Sequence, residues 1–161
     1  MRSAFITTLL LTALFAGRAE AGSGAAFSLS ASYGKGVAVS PYFGATRSNV
    51  QIAPGVMFLD NILRVELGVL LLIPDVQTLP VDVEIRPSLI VDPPFFPLYL
   101  RLVAIGAADM LNDVAPTWGG YIGTSFDVAQ LFIFGECGAL PVGLVDEFKL
   151  EGRVGIGWHS D

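Results

Sequence analysis

The chain has 161 residues, enough for one domain, and its nine basic and fifteen acidic residues give a formal net charge of −6. This acidic balance argues against nucleic-acid binding, which needs clustered lysine and arginine to neutralise phosphates. A hydrophobic fraction of 53% and a mean hydropathy of +0.64 are high for a soluble secreted domain. The chain therefore needs a place for its apolar side chains other than the core of a soluble domain.

The first residues have the features of a secretory signal peptide. Arg2 supplies a positive start, residues 4–16 form an apolar stretch, and Ala19-Glu20-Ala21 offers a small-x-small cleavage site. The apolar stretch is too short to cross a membrane as a helix, and the cleavage site disfavours a buried N-terminal helix. We expect a signal peptide over residues 1–21 and one secreted domain over residues 22–161.

The segment 25–46 is predicted to supply the first strand. Residues 25–33 and 37–46 both alternate, and Gly34-Lys35-Gly36 between them has the composition of a turn. Two membrane-spanning strands here would give nine in total, an odd number that is disfavoured for single-chain bacterial barrels. We therefore expect one spanning strand, with the other part pairing poorly or forming an extended loop.

Strands are predicted near residues 49–59, 62–73, 80–91, 96–108, 117–127, 129–140 and 147–158. Five of them alternate clearly between an uncharged, apolar face and a second face, because successive side chains of a strand point to opposite sides. All ten charges of these five segments fall on the second face: Arg64, Glu66, Asp82, Glu84, Arg86, Arg101, Glu136, Lys149, Glu151 and Arg153. Five of each sign favour a narrow interior in which charges pair, because an isolated buried charge is very costly.

The charged face also carries large apolar residues, among them Leu70, Val103, Phe132 and Phe134. A solvated outer surface rarely holds so many, whereas a packed and partly polar interior can. The prediction is an all-β fold: a closed antiparallel up-and-down transmembrane β-barrel of eight strands, with lipid against its apolar face. Side chains about fill the interior of such a barrel, so we expect no wide pore.

Turns and aromatic residues follow the same scheme. Tight turns are predicted at Asp60-Asn61, residues 92–94 and Asp127-Val128, and longer links at residues 74–80, 109–116 and 141–146. Six aromatic residues of the apolar face lie next to these connections and are predicted to sit at the two membrane interfaces: Phe58, Phe96, Trp118, Phe126, Phe148 and Trp158. Pro54 and Pro87 fall in mid-strand, where we expect local bulges.

Over residues 25–158 the chain resembles the small outer-membrane barrels of the OmpA/OmpX-like superfamily. The resemblance rests on the signal peptide, the alternating strands, the aromatic girdles and a final strand that reads EGRVGIGW over residues 151–158. It implies outer-membrane localisation, insertion by the barrel-assembly machinery and a filled interior, with membrane lipid as the partner of a monomer. Members of the superfamily usually end on an aromatic residue, whereas here Trp158 is followed by His159-Ser160-Asp161.

Candidate chemistry is sparse, and no catalytic, cofactor or metal site is predicted. His159 is the single histidine, and the string His159-Ser160-Asp161 is too compact to form a triad, so we interpret it as a frayed periplasmic tail. The carboxylates of the charged face are interpreted as partners of the arginines rather than as acid/base groups. Cys137, the single cysteine, lies on the apolar face and reads as a small hydrophobe.

Three functions stay open from the sequence. The first is a non-enzymatic barrel with a structural or surface-interaction role in the outer membrane. The second is a soluble periplasmic carrier of a lipid or other apolar ligand, similar to lipocalins, with the apolar face turned inward; alternation alone does not distinguish it from the first. The third is a barrel-embedded lipid A-modifying enzyme, to which the lack of an inward-facing histidine is the main objection.

Overall fold

The computed structural model describes residues 25–39, 47–74, 82–105, 117–141 and 148–160. They form eight strands: β1 (Ala26–Val39), β2 (Arg47–Phe58), β3 (Leu63–Pro74), β4 (Asp82–Val91), β5 (Tyr99–Ile105), β6 (Thr117–Val128), β7 (Leu131–Pro141) and β8 (Phe148–His159). No helix in these segments is long and apolar enough to cross a membrane. The predicted signal peptide lies outside the described residues.

Each strand pairs antiparallel with its neighbours in the chain, and β8 pairs with β1 to close the sheet. The prediction of a closed, eight-stranded, up-and-down barrel is therefore confirmed. We call the end that carries residues 59–62, 92–98 and 129–130 the short-turn end. The opposite end, where residues 40–46, 75–81, 106–116 and 142–147 connect the strands, is the long-link end.

The predicted turn at Gly34-Lys35-Gly36 is wrong, because all three residues lie inside β1. Gly34 pairs with Asn49 on one side and with Arg153 on the other. A Cβ added at Gly34 would come within 2.8 Å of the Asn49 side chain, and one at Gly36 within 3.2 Å of the Lys149 side chain. The two glycines therefore make room for side chains in a narrow interior instead of reversing the chain.

Of the three predicted tight turns, the one near Asp60 is confirmed and the other two differ from the prediction. The β2–β3 turn is formed by residues 59–62, with left-handed backbone at Leu59, Asp60 and Asn61 (φ 52°, 54° and 70°), as predicted near Asp60. Asp127-Val128 lies within β6, and the chain reverses at the next two residues instead, where Ala129 has φ 56°. The β4–β5 connection is longer than predicted and spans residues 92–98. Proline at 93, 94 and 97 delays the start of β5, since proline cannot supply a ladder donor.

The two mid-strand prolines cause no bulge, contrary to the expectation. The β2–β3 register is the same before and after Pro54, from Ile52 opposite Val69 to Gly55 opposite Glu66, without an extra residue on either strand. Pro87 lies opposite Leu67 in an unbroken β3–β4 register. Pairing between β4 and β5 begins at Ser88, immediately after Pro87. Each proline lacks a backbone N–H and so leaves a gap in the hydrogen-bond ladder. Neither strand has an extra residue at that point, and the register is unchanged.

The interior holds two apolar clusters. Ile90, Tyr99, Phe132 and Phe134 pack together toward the short-turn end. Val103, Tyr121 and Leu140, with the partly buried Ile105, pack toward the long-link end. These side chains come from strands on one side of the barrel, and charged side chains occupy the space between and beside the two clusters.

His159 and Ser160 are held in the sheet, so the predicted frayed tail is wrong for these two residues; Asp161 lies outside the described residues. His159 pairs with Ser28 of β1 and closes the β8 ladder. The Ser160 backbone N–H donates to the Phe27 carbonyl at 2.8 Å, and the Phe27 N–H donates to the Ser160 hydroxyl at 2.9 Å. These bonds extend the β1–β8 seam two residues past Trp158.

Candidate functional site

The two faces of the barrel wall have opposite chemistry. Side chains that point outward are mostly large and apolar, and Val65, Val69 and Ile133 expose 47%, 42% and 57% of their surface. Their inward-pointing neighbours include Glu66 and Arg64, which expose 2% and 5%. A soluble protein shows the reverse arrangement, since charged residues are almost never fully buried unless paired. The candidate functional site is therefore the charged interior.

A chain of ion pairs begins near the short-turn end. Arg64 Nε lies 3.2 Å from a Glu66 carboxylate oxygen, and the other oxygen of Glu66 lies 3.2 Å from Arg101 Nη1. Arg101 Nε in turn lies 3.1 Å from Glu136. Each carboxylate thus lies next to a guanidinium from another strand, which links β3, β5 and β7 through the interior.

The chain continues toward the long-link end through Arg153, which lies 3.7 Å from Glu136 and 3.0 Å from Glu151. Glu151 is the hub of this part, because Arg86 at 3.3 Å and Lys149 at 2.9 Å also contact it. Arg86 completes the series by contacting Glu84 at 2.9 Å. Three cations share the Glu151 carboxylate, so that residue carries much of the charge compensation.

Neutral groups add hydrogen bonds to three of the buried charges. The Tyr99 hydroxyl donates to Glu136 at 2.8 Å, and the Tyr121 hydroxyl donates to Glu151 at 2.7 Å. Arg153 donates to the side-chain oxygens of Gln51 and, at 3.2 Å, of Asn49. These hydrogen bonds lower the cost of burying the charges, which is high when the remaining donors and acceptors are left unpaired.

Aromatic rings pack against three of the guanidinium groups. Arg64 lies 4.8 Å from the ring centre of Phe132, Arg101 lies 5.9 Å from that of Phe134, and Arg153 lies 5.4 Å from that of Tyr121. These distances are within the range of cation–π attraction. The apolar clusters and the ion pairs thus form one packed interior and not two separate layers.

The structure brings together nine of the ten charged residues that the sequence analysis singled out; they are Arg64, Glu66, Glu84, Arg86, Arg101, Glu136, Lys149, Glu151 and Arg153. The tenth, Asp82, begins β4 opposite Leu72, and its side chain is outside the described part of the structure. The neutral partners Asn49, Gln51, Tyr99 and Tyr121 are not among the residues predicted for this site. Strand parity could have found Tyr99, which lies two residues before Arg101 and therefore on the same face.

The six aromatic residues predicted at membrane interfaces are all exposed. Phe58, Phe126 and Trp158 lie near strand ends at the short-turn end, whereas Phe96 lies in the β4–β5 connection and not in a strand. Trp118 and Phe148 lie at the opposite end, as the second residue of β6 and the first of β8. The Trp158 indole N–H donates to the Gln130 side chain at 3.3 Å.

The short-turn rim holds the remaining titratable groups of interest. His159 lies on the inward side of β8 by alternation, and its ring stacks on Phe132 with centroids 6.3 Å apart. The sequence-based objection that no histidine faces inward is therefore wrong, yet the ring makes no hydrogen bond with a described residue. Asp92 follows β4 and accepts a hydrogen bond from Ser125 at 3.3 Å; burial raises the pKa of this carboxyl, against the opposing effect of Arg64. No group of three or more potential metal ligands occurs among the described residues.

Comparison with known proteins identifies a structural neighbour. No protein-family model matches the chain, and no curated protein matches it in sequence. The crystal structure of Neisserial surface protein A is similar, with a TM-score of 0.57 and 16% sequence identity; the match covers 83% of this chain and 97% of that chain. The predicted resemblance is thereby confirmed at the level of the fold: this chain shares the fold of Neisserial surface protein A.

Proposed function

We propose that the protein is an outer-membrane β-barrel with a narrow, charge-paired interior, that its role is structural or surface-interacting, and that it catalyses no reaction. The observation that carries the proposal is the inversion of the wall, apolar outside and ion-paired inside. An apolar wall of this extent is stable against hydrocarbon, and a closed barrel leaves no sheet edge unpaired in lipid.

The filled interior supports a function other than transport through a wide pore. Arginine, glutamate and tyrosine side chains fill it from Arg64 near one end to Lys149 near the other, as side chains do in eight-stranded barrels. A continuous set of ion pairs across β3, β5, β7 and β8 holds the wall together from within. Any recognition by the protein would therefore use the strand connections or the outer wall.

The alternative of a soluble lipid carrier finds less support. A carrier with the lipocalin arrangement needs its apolar face around an internal cavity, whereas the buried side chains here include Glu66, Arg101 and Glu136. The enzyme alternative needs a histidine joined to a hydroxyl and a carboxylate. His159 faces inward but contacts Phe132 instead, so nothing in the described geometry favours catalysis.

Further parts of the proposal follow from the outer-membrane assignment. The signal peptide over residues 1–21 would direct export, and the barrel-assembly machinery would insert a monomeric domain into the outer membrane. The exposed aromatic residues at the two ends, such as Phe126 and Trp118, would lie at the two lipid–water interfaces. The short-turn end would then face the periplasm.

Gel mobility tests the membrane assignment directly. We expect a tagged copy to be recovered in the outer-membrane fraction and to run faster without boiling than after boiling, because a closed barrel resists detergent until it is heated. Recovery in the soluble periplasm with no heat-dependent shift would contradict the proposal and favour the carrier.

Arginine substitutions on the outer wall give a second, depth-dependent prediction. Val69 lies in the middle of β3 and Ile73 near its long-link end, and both side chains are about equally exposed, at 42% and 43%. In vesicles we expect Val69→Arg to lower the free energy of unfolding by about 2–4 kcal/mol and Ile73→Arg by only about 0–1 kcal/mol. Urea titration followed by tryptophan fluorescence measures both. Equal and small losses would mean that water, and not lipid, covers the wall.

A further inference from the structure

Lys35 breaks the pattern of the outer wall. Among the described strand residues it is the one charged side chain that alternation places outward, between Tyr33 and Val37, which expose 48% and 47% of their surface. It forms no ion pair with any described residue, whereas Lys149 of the interior contacts Glu151 at 2.9 Å. A charge on the lipid face of a barrel is destabilising in a depth-dependent way, and it is best tolerated near an interface, where it can meet charged headgroups.

The position of Lys35 suits the lipid headgroup region. It lies four residues before the end of β1 at the long-link end, about 13 Å along the strand. The tilt of the strands shortens this distance along the membrane normal. A lysine can keep its apolar stem against the wall while its ammonium group reaches toward the interface.

Lys35 has a polar residue opposite it on β2 and a glycine opposite it on β8. Ser48 of β2 lies opposite Lys35, and its hydroxyl oxygen accepts a hydrogen bond from the Tyr33 hydroxyl at 3.1 Å. The Ser48 hydrogen stays available for a further acceptor. On the other side Lys35 lies opposite Gly152 of β8, where an added Cβ would meet nothing within 4 Å. The outer wall therefore has no side chain at Gly152, and the exposed side chains of Leu150 and Val154 flank this position.

We propose that Lys35 and Ser48 bind the phosphate of an anionic membrane lipid whose acyl chains lie against the apolar wall beside Gly152. A cationic nitrogen and a hydroxyl donor match phosphate oxygens, and the apolar flank matches the chains. A lipid is favoured over a protein partner because the polar groups are embedded in an apolar wall that must already face hydrocarbon. This inference rests on the proposed outer-membrane placement.

Native mass spectrometry of the full-length folded protein tests the site. The protein is released from mixed micelles that contain phosphatidylglycerol and phosphatidylcholine in equal amounts, and the retained lipids are counted. We expect preferential retention of phosphatidylglycerol, and a loss of about fivefold in that preference for Lys35→Gln. Ser48→Ala and Gly152→Leu should each reduce it too, because the first removes a donor and the second adds a side chain where the wall has none, while Lys35 remains.

A relocated charge is the matched control. Val83, three strands away near the long-link end of β4, is 62% exposed on the outer wall. The double variant Lys35→Gln/Val83→Lys keeps the net charge, and we expect it not to restore the preference. Full restoration would overturn a specific site in favour of general attraction, and an unchanged preference in Lys35→Gln would overturn the role of that residue.

Two further measurements separate the alternatives. Retention of inorganic phosphate by the wild type in phosphatidylcholine micelles would overturn the lipid in favour of free phosphate. Each variant is also compared by its heat-dependent gel shift. A wild type that shifts on heating but shows no lipid preference would overturn this inference alone, whereas a wild type with no shift would overturn the outer-membrane placement as well.

Discussion

Replacement of Glu151 by glutamine is expected to lower the free energy of unfolding by about 3–5 kcal/mol, the range for breaking a buried ion pair by removing one partner. Glu151 is 1% exposed and lies within 3.3 Å of Arg86, Lys149 and Arg153. The amide keeps the shape of the side chain and one acceptor oxygen for the Tyr121 hydroxyl. The loss of stability is therefore due to the removed charge and not to a change in side-chain volume. The five cations of the network would then be compensated by three carboxylates instead of four.

Glu84→Gln is the matched control for this prediction. Glu84 contacts one cation, Arg86, and its side chain is 17% exposed, so water can compensate part of its loss. We expect this variant to lose clearly less stability than Glu151→Gln under the same urea titration in vesicles. Equal losses for the two variants would mean that Glu151 is not the hub of the network.

A double variant tests whether excess positive charge is the cause. Lys149 is the most exposed of the three cations at Glu151, with 19% of its side chain accessible. Adding Lys149→Gln to Glu151→Gln removes one of the unpaired charges, so we expect the double variant to be more stable than the sum of the two single losses predicts. A purely additive result would show that the two side chains do not interact.

The inward position of the charges could be predicted from the sequence because strand side chains alternate strictly. Arg64 and Glu66, or Glu151 and Arg153, are two residues apart and must share a face. Because the barrel closes with its strands in chain order, each strand lies beside the strands that precede and follow it in the sequence. The pairing of Glu66 with Arg101 could not be predicted, because β3 and β5 are not adjacent and only the size and stagger of the barrel bring their side chains together.

Glycine is ambiguous in a sequence, since it is typical of turns and also of close packing between the strands of a narrow barrel. For that reason the sequence predicts a turn at Gly34-Lys35-Gly36, where the structure has a continuous strand. The distinction depends on which side chains of neighbouring strands point at the glycine, and that requires the register. For Gly34 the decisive side chain is Asn49, fifteen residues later on β2.

Gly138→Ala is expected to lower the free energy of unfolding by about 1–3 kcal/mol, the usual cost of overpacking a filled interior. Gly138 lies in β7 opposite Tyr121 of β6 and Glu151 of β8. A Cβ at this position would overlap the backbone oxygen of Gly120 and lie 2.5 Å from Tyr121 Cδ1. A side chain can rotate away from such a contact, whereas the backbone of β6 is held by its ladder and must shift.

Gly135→Ala is the control on the same strand. Gly135 faces outward by alternation, and a Cβ there would lie 4.0 Å from the Arg153 carbonyl oxygen, an ordinary contact. We expect no loss, or a gain of about 0.5–1 kcal/mol, because alanine has less backbone freedom to lose on folding. Urea titrations of both variants in the same vesicles measure the difference. If the two alanines had the same effect, the space around Gly138 would not be limited by the β6 backbone, and its role would be that of any strand residue.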